Sequence, residues 1–387
     1  MSGAAPAVAN VYPWDVDGDP AAASRIARLG LTGVTLAAAY HAVRAITPFH
    51  PRHRVVTRDA AVYYRPGPAR WRGRRLRPVP ARPAGSFERA AAWLAAAGLP
   101  VTAWAVLTHN ARAGAAVPSV TVRNAFGDRY PWALCISAPQ VLEYAATVAA
   151  EVAALPGAAA TELEACGWYG VEHGSAHDKT GGAAGGAAEW LLSVCFCAAC
   201  RDQYRAAGAD PAALAVAVRA ALAPAVGGGP AAPLPAGVAG LLRGVRAQVA
   251  GSFQREVIAA ARAAAPGKRV YLHAHPDPQA MGANPGCDPA ELLGPGGADG
   301  IVLSCWEPAE AAALVRRTVA AAPAGAAVAA SLLAVEGLGG HPATLADQAG
   351  AVLAAGAAEL RLYHAGLASQ PDLAAIRALC HGQRPED

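Results

Sequence analysis

Two carboxylates stand two residues apart in the segment 161–179, TELEACGWYGVEHGSAHDK, where an apolar stretch gives way to a Trp, a Tyr, a further Glu and two His. In an extended strand alternate side chains share a face, so Glu162 and Glu164 point the same way. An unpaired carboxylate is costly in an apolar interior, which assigns the pair to the wet end of the strand, with Glu164 nearer the opening. A carboxyl so placed can donate a proton to a bound ligand. A second motif is CFCAACRDQYR, in which Cys195, Cys197 and Cys200 have a C-x-C-x-x-C spacing. Three thiolates so spaced can fold around one tetrahedral metal, and the fourth ligand must come from elsewhere. Cys135, in ALCISAPQVLEYAATVAAEVA, is the candidate. A closed four-cysteine site would be structural, not catalytic, and Cys166, Cys287, Cys305 and Cys380 read as free thiols.

These groups need elements to position them. Short apolar segments rich in β-branched residues recur at 8–14, 32–38, 100–107, 159–165, 269–274, 299–304, 326–334 and 358–363, each followed by a turn and an Ala/Leu/Arg stretch with helical spacing. Strands alternating with helices pair in parallel. Eight such units predict one α/β domain over residues 1–387, a (β/α)8 TIM barrel whose active site collects at the C-terminal strand ends. A doubly wound open sheet is the structural alternative, weakened because no dinucleotide glycine fingerprint follows the first strand. Two connections are long enough to be insertions, at about 40–85 after strand two and about 166–268 after strand four. In the first, residues 52–82 hold ten Arg and no Lys, interleaved with Tyr63, Tyr64 and Trp71. Arginine pairs bidentately with carboxylate or phosphate, so an anionic substrate is open, although a solvated, Arg-paired surface loop is the plainer reading. In the second, the Gly/Pro run at 226–237 reads as a flexible spacer.

Every predicted strand end carries polar groups. They are Asp15 and Asp17, Tyr40 and His41, His109 and Asn110, Glu164, His273 and His275, Glu307, Glu336, and His364. Packing alone does not explain such a ring, which predicts a pocket at the barrel mouth. Past strand four, Trp168 and Tyr169 offer a flat platform, with Glu172, His173, His177 and Asp178 as polar lining. Trp14, Trp104 and Trp306 are further rings that could stack on a flat ligand face.

Composition narrows the classes. The chain has 387 residues, 54% of them hydrophobic and 16% charged, which makes it globular. A net charge of +4 with no recognisable binding motif argues against nucleic acid, and charge and helical patterning argue against a membrane. The N-terminus lacks a basic start followed by an apolar run, so a cytoplasmic location is expected, where eight cysteines serve as thiols or metal ligands. The expected partner is a small-molecule or oligosaccharide substrate, with no organic cofactor and a homo-oligomer left open.

The run LCISAPQVLEYAATVAAEVAAL, then a strand ending in Glu, then CFCAACRDQYR, resembles the middle of the zinc-cluster β-galactosidases, members of the glycoside hydrolase superfamily with (β/α)8 barrels. The likeness covers roughly residues 130–205, and beyond them only an ordering of strands. It implies a structural zinc on Cys135, Cys195, Cys197 and Cys200, Glu164 as acid/base at the end of strand four, and Glu336 as nucleophile at the end of strand seven. Such a pair cleaves glycosides when a protonated carboxyl assists the leaving oxygen and an ionised carboxylate stabilises or captures the oxocarbenium carbon, about 5–5.5 Å away in a retaining mechanism. Leu163 stands where the family has Asn before its acid/base Glu, which marks a distant relative of unknown specificity. The expectation is therefore a glycosidase with a paired-glutamate, retaining mechanism, and Glu162, Glu172 and Glu307 are reserve carboxylates. Two alternatives stand beside it. One is a metal-dependent barrel isomerase, lyase or hydrolase using His273, His275 and Glu164 with His177 or Glu307; the other is a non-catalytic carbohydrate-binding barrel.

Overall fold

The computed structural model describes residues 5–171, 179 and 186–382. Eight strands form its centre: β1 (Ala7–Val11), β2 (Gly33–Tyr40), β3 (Val101–Val106), β4 (Ala158–Glu164), β5 (Arg269–His273), β6 (Gly300–Ser304), β7 (Ala327–Leu333) and β8 (Glu359–Tyr363). Each pairs in parallel with its neighbours, and β1 pairs with both β2 and β8, so the sheet closes on itself. The closing seam sets Ala7, Val8 and Ala9 against Leu360, Arg361 and Leu362. This is the (β/α)8 barrel that the eightfold alternation predicts, and the seam excludes an open sheet. Strands packed on both faces read as apolar runs, as the wholly buried β2, GVTLAAAY, does.

The interior is layered. Toward the N-terminal strand ends, Tyr271, Val302, Ala327 and Ala329, with Ala160 against them, form a small apolar plug separate from the main core. Gly300 leaves room for it, since an added Cβ would lie 2.6 Å from the Tyr271 ring. Above the plug runs a charged belt from β4, β5 and β8. Arg361 is its hub: it donates to Glu162 at 2.9 Å and to Glu359 at 3.0 Å, and its guanidinium lies 5.1 Å from the Tyr271 ring centre. Tyr271 in turn donates to Glu359 at 2.8 Å.

The segment after β2 makes an antiparallel hairpin, Val43–Ile46 with Val55–Arg58, and a two-residue strand, Ala61–Val62, antiparallel to β2. Its onward path is fastened to the outer helix Pro139–Ala153 by one carboxylate. Glu151 accepts from Tyr64 Oη and Trp71 Nε1 at 3.0 Å each and from the Gly67 amide at 2.8 Å. A second hairpin, Thr121–Arg123 with Arg129–Leu134, follows β3 and was not legible as such in the sequence. After β4 come the helices Gly186–Leu192, Ala198–Ala206, Pro211–Val226 and Ala236–Ala264, and the last packs along Pro139–Ala153. Among the described residues no single helix is long and apolar enough to cross a membrane.

Candidate active site

The two carboxylates of β4 share a face and have opposite electrostatics. Glu162 is wholly buried and shares a 2.7 Å hydrogen bond with His273 Nε2 beside the bond from Arg361 Nε. Burial opposes its ionisation, but Arg361 and His273 outweigh burial and hold its carboxyl down at about 2. Burial likewise disfavours charge on His273, and the bond to Glu162 overcomes it, raising the imidazole above its ordinary value. Glu162 is an ionised anchor within the belt. Glu164, toward the opening, is 9% exposed and accepts from Trp104 Nε1 at 2.8 Å. Burial pushes its pKa up, against the His273 charge and the Trp104 bond and with the help of the Glu162 charge. A carboxyl raised above its ordinary value is shifted in the direction that general-acid chemistry requires.

Around Glu164 the mouth is aromatic. The hydroxyls of Tyr12, Tyr40 and Tyr363, from beside β1 and from the ends of β2 and β8, form a triangle with sides of 3.1, 3.2 and 3.4 Å. Burial raises the pKa of all three, so they are neutral phenols. The Tyr12 ring lies between Trp14, 4.4 Å away, and His364, 4.2 Å away. A run of stacked rings, Tyr40, His41, His109 and Tyr169, crosses from the end of β2 to the segment after β4 with centres 4.2–4.3 Å apart. Trp306 stands at the rim, 41% exposed, its ring 5.3 Å from that of Tyr363. Trp306 Nε1 donates to Ser331 Oγ at 3.4 Å.

Of the residues singled out in the sequence, Trp14, Tyr40, His41, Trp104, His109, Glu164, Tyr169, His273, Trp306 and His364 fall in this set. Others do different work. Asn110 caps the helix Ala111–Ala116, accepting from the Ala113 amide at 2.9 Å and donating to Tyr144 at 3.1 Å. Trp168 donates to the Arg246 carbonyl at 2.9 Å and is covered by the Arg246 guanidinium at 4.8 Å. Asp15 accepts from the Tyr12 amide at 2.8 Å within a one-turn helix, and burial raises its carboxyl to about 7. It lies 4.0 Å from His364 Nδ1, whose ring burial keeps neutral with a pKa of about 3. His275 accepts from the Asp277 amide at 3.0 Å in the loop after β5. Glu307 is the exposed residue preceding the helix Pro308–Ala321.

Glu336 opens an exposed 3-10 turn, Glu336–Leu338, beyond β7. Its amide donates to Asp372 Oδ1 at 3.1 Å, and its carboxylate makes no hydrogen bond to a described residue. Along β7, Ser331 holds the position bonded to Trp306, and Leu333 ends the strand half-buried. Glu172 and His177, with His173 and Asp178, lie outside the described residues. Sequence reasoning missed Tyr12, Tyr363, Glu359 and Arg361. The alternation in β8, ELRLY, was the available signal, because it sets Glu359, Arg361 and Tyr363 on one face.

The cysteine motif closes as its spacing predicts. Cys135, Cys195, Cys197 and Cys200 are buried with their sulfurs all within 4.8 Å of one another. Cys135 Sγ is 3.5 Å from those of Cys200 and Cys197 and 3.8 Å from that of Cys195. The Arg123 amide donates to Cys195 Sγ at 3.3 Å. Four soft donors in this arrangement can hold a metal ion. They form the only such group among the described residues, and neither His273 nor His275 belongs to another. Other clefts lie elsewhere: one of about 890 Å³ beside Trp190 and Arg243, and one of about 360 Å³ along the helix Ala236–Ala264. Neither is lined by Glu164.

No protein-family model and no curated protein matches the chain. Solved structures do. The α-L-fucosidase isoenzyme 2 from Paenibacillus thiaminolyticus superposes with a TM-score of 0.59 at 14% identity, over 99% of this chain and 49% of that one. The catalytic domain of β-amylase from Paenibacillus polymyxa gives 0.58 at 12% identity, over 99% and 100% of the two chains. The β-galactosidase from the psychrophilic Marinomonas ef1 gives 0.56 at 9% identity, over 97% and 59%. The chain thus spans about half the length of the fucosidase. At these identities the likeness establishes the fold alone, a (β/α)8 barrel.

Proposed function

We propose that the chain cleaves a glycosidic bond at the barrel mouth, with Glu164 protonating the leaving oxygen. The observation that carries this reading is the division of labour on β4. Glu162 is ionised and tied to Arg361 and His273, while Glu164, one pleat nearer the opening, has its carboxyl pushed above the ordinary value by burial. The departing sugar would rest against Trp306 and Tyr363 at the rim. Glu336 is the partner carboxylate, delivered from its turn beyond β7. A retaining reaction needs it about 5–5.5 Å from Glu164, and a gap of about 6.5–9.5 Å would admit a water and invert the anomeric centre. The four cysteines hold zinc in this reading. A tetrahedral ion with Zn–S bonds of about 2.3 Å sets sulfurs about 3.8 Å apart, which fits the observed 3.5–3.8 Å. Closed by four thiolates, it would brace the segments around Cys135 and Cys195 and take no part in the chemistry.

A second reading, a barrel that binds carbohydrate without cleaving it, is favoured by the exposed position of Glu336 and by Ser331 and Leu333 along β7. Hydrolysis of a panel of aryl glycosides by the wild type, Glu164→Gln and Glu336→Gln separates the two. Turnover by the wild type that both variants lose supports the pair. Full activity in Glu164→Gln refutes the proton-donor role, and saccharide binding without turnover in the wild type selects the second reading.

A further inference from the structure

Beside the mouth, between the segments that follow β1 and β2, lies a cavity of about 200 Å³ whose walls carry more positive charge than their own carboxylates neutralise. Arg52, Arg58 and Arg82 line it with His53, Trp14 and Tyr63. Its one acid, Asp17, is already matched: Arg89 grips both carboxylate oxygens from Nε at 3.1 Å and from Nη2 at 2.7 Å. Among the described residues none of Arg52, Arg58 and Arg82 pairs with a carboxylate, and the only side-chain bond among them runs from Arg58 to the neighbouring Thr57 carbonyl at 3.0 Å. His53 adds no charge to rely on, because burial and the stacked His50 lower its pKa.

Two buried groups beneath this charge are unspent. Trp14 is 5% exposed and Tyr63 1% exposed; their rings meet edge to face at 5.3 Å, and both line the cavity. Neither Trp14 Nε1 nor Tyr63 Oη has a hydrogen-bond partner among the described residues. Buried donors are almost always satisfied, so two unpartnered ones on residues that line a cationic cavity call for an acceptor. The place is also built for the arginine. Gly18, at φ +95°, passes so close to the Arg52 guanidinium that a Cβ there would collide with it. The same Trp14 stacks on Tyr12, a corner of the hydroxyl triangle at the mouth, so the cavity and the mouth share a wall.

We infer that this cavity is an oxyanion subsite that takes the carboxylate, sulfate or phosphate borne by a saccharide bound at the mouth. The guanidinium groups offer forked donors that match such an anion, and the indole and phenol complete its shell from below. The inference rests on the reading that the mouth takes a saccharide, and it makes the preferred substrate class an acidic sugar. Arg82 and Arg58 select for it, and Trp14 links the subsite to the reacting end.

The test is calorimetric titration of the full chain at low ionic strength with methyl glucuronide, methyl glucoside and inorganic phosphate. The glucuronide is expected to bind at least ten times more tightly than the glucoside, and to weaken as salt is raised. Arg58→Gln/Arg82→Gln should erase that preference and leave glucoside binding unchanged. Arg82→Gln alone, at an exposed side chain, should reduce it in part, which guards against a folding defect in the double variant. Equal binding of the two glycosides, or an unchanged preference in both variants, overturns the subsite. Tight phosphate binding without measurable glucuronide binding makes it a free-anion site and overturns the saccharide assignment. The titration reads no turnover, so failure here and failure of the Glu164 reading are separate results.

Discussion

Arg361 is 2% exposed and, among the described residues, is the one strong base paired with Glu162, so Arg361→Met tests whether the belt is as tightly coupled as its distances imply. The size of the effect follows from Glu162. Its fall from an ordinary 4.5 to about 2 corresponds, at about 1.36 kcal/mol per factor of ten, to about 3 kcal/mol of native-state stabilisation. That agrees with the roughly 3–5 kcal/mol lost when one member of a buried ion pair is removed. The sign is set by a depressed acid. The unfolded chain takes up a proton near pH 4.5 and the folded one only near 2, so the contribution is complete above pH 4.5 and declines as pH falls toward 2. At pH 3 about 1 kcal/mol would remain. Urea unfolding followed by circular dichroism at pH 7 and pH 3 measures both values. Arg361→Met should be about 3 kcal/mol less stable than wild type at pH 7, with the gap clearly narrower at pH 3. Equal stability at pH 7, or a gap that does not change with pH, would refute the coupling of Glu162 to Arg361.

Other substitutions have equally definite outcomes. Asp15 carries a raised acid, so the folded state loses stability as pH climbs from 3.8 toward about 7; Asp15→Asn, which can still accept the Tyr12 amide, should be more stable than wild type at pH 8 and no more stable at pH 4, as thermal melts would show. Cys197→Ser should lower metal content by elemental analysis and shift the unfolding midpoint in the same preparation, because metal binding and folding are linked. Asp372 caps the helix Gln370–Cys380 through the Ser369 amide at 2.8 Å and also holds the Glu336 amide. Asp372→Ala should therefore cost about 1 kcal/mol in stability and, if Glu336 acts from its turn, lower kcat more than it raises KM in aryl glycoside assays.

The barrel was legible in the sequence because each strand is a run of apolar residues cut off by a turn, a signal that needs no distant partner. The cysteine site was legible for a related reason: three of its ligands lie within one short segment, and only Cys135 had to be found elsewhere. The electrostatics of β4 were not. Glu162 and Glu164 look alike in TELEA, and what separates them is Arg361, 199 residues further along. Trp168 shows the same limit from the other side. A tryptophan just past a strand end could face a ligand, but here it is covered by Arg246, 78 residues away. The Arg-rich segment read as a surface loop, and nothing local announced that Trp14 and Tyr63 would be left beneath three of its arginines.

The seam between β1 and β8 joins strands separated by nearly the whole chain, and contacts of such long separation form late in folding. Until it forms, β8 is an open edge that another chain could extend, the step by which sheets aggregate. That edge carries Glu359 and Arg361 on its inward face, and a barrel left unclosed would leave both charges without the partners that β4 and β5 supply. Closure of the chain's own barrel is what gives Arg361 its bond to Glu162 of β4 and Glu359 its bond from Tyr271 of β5.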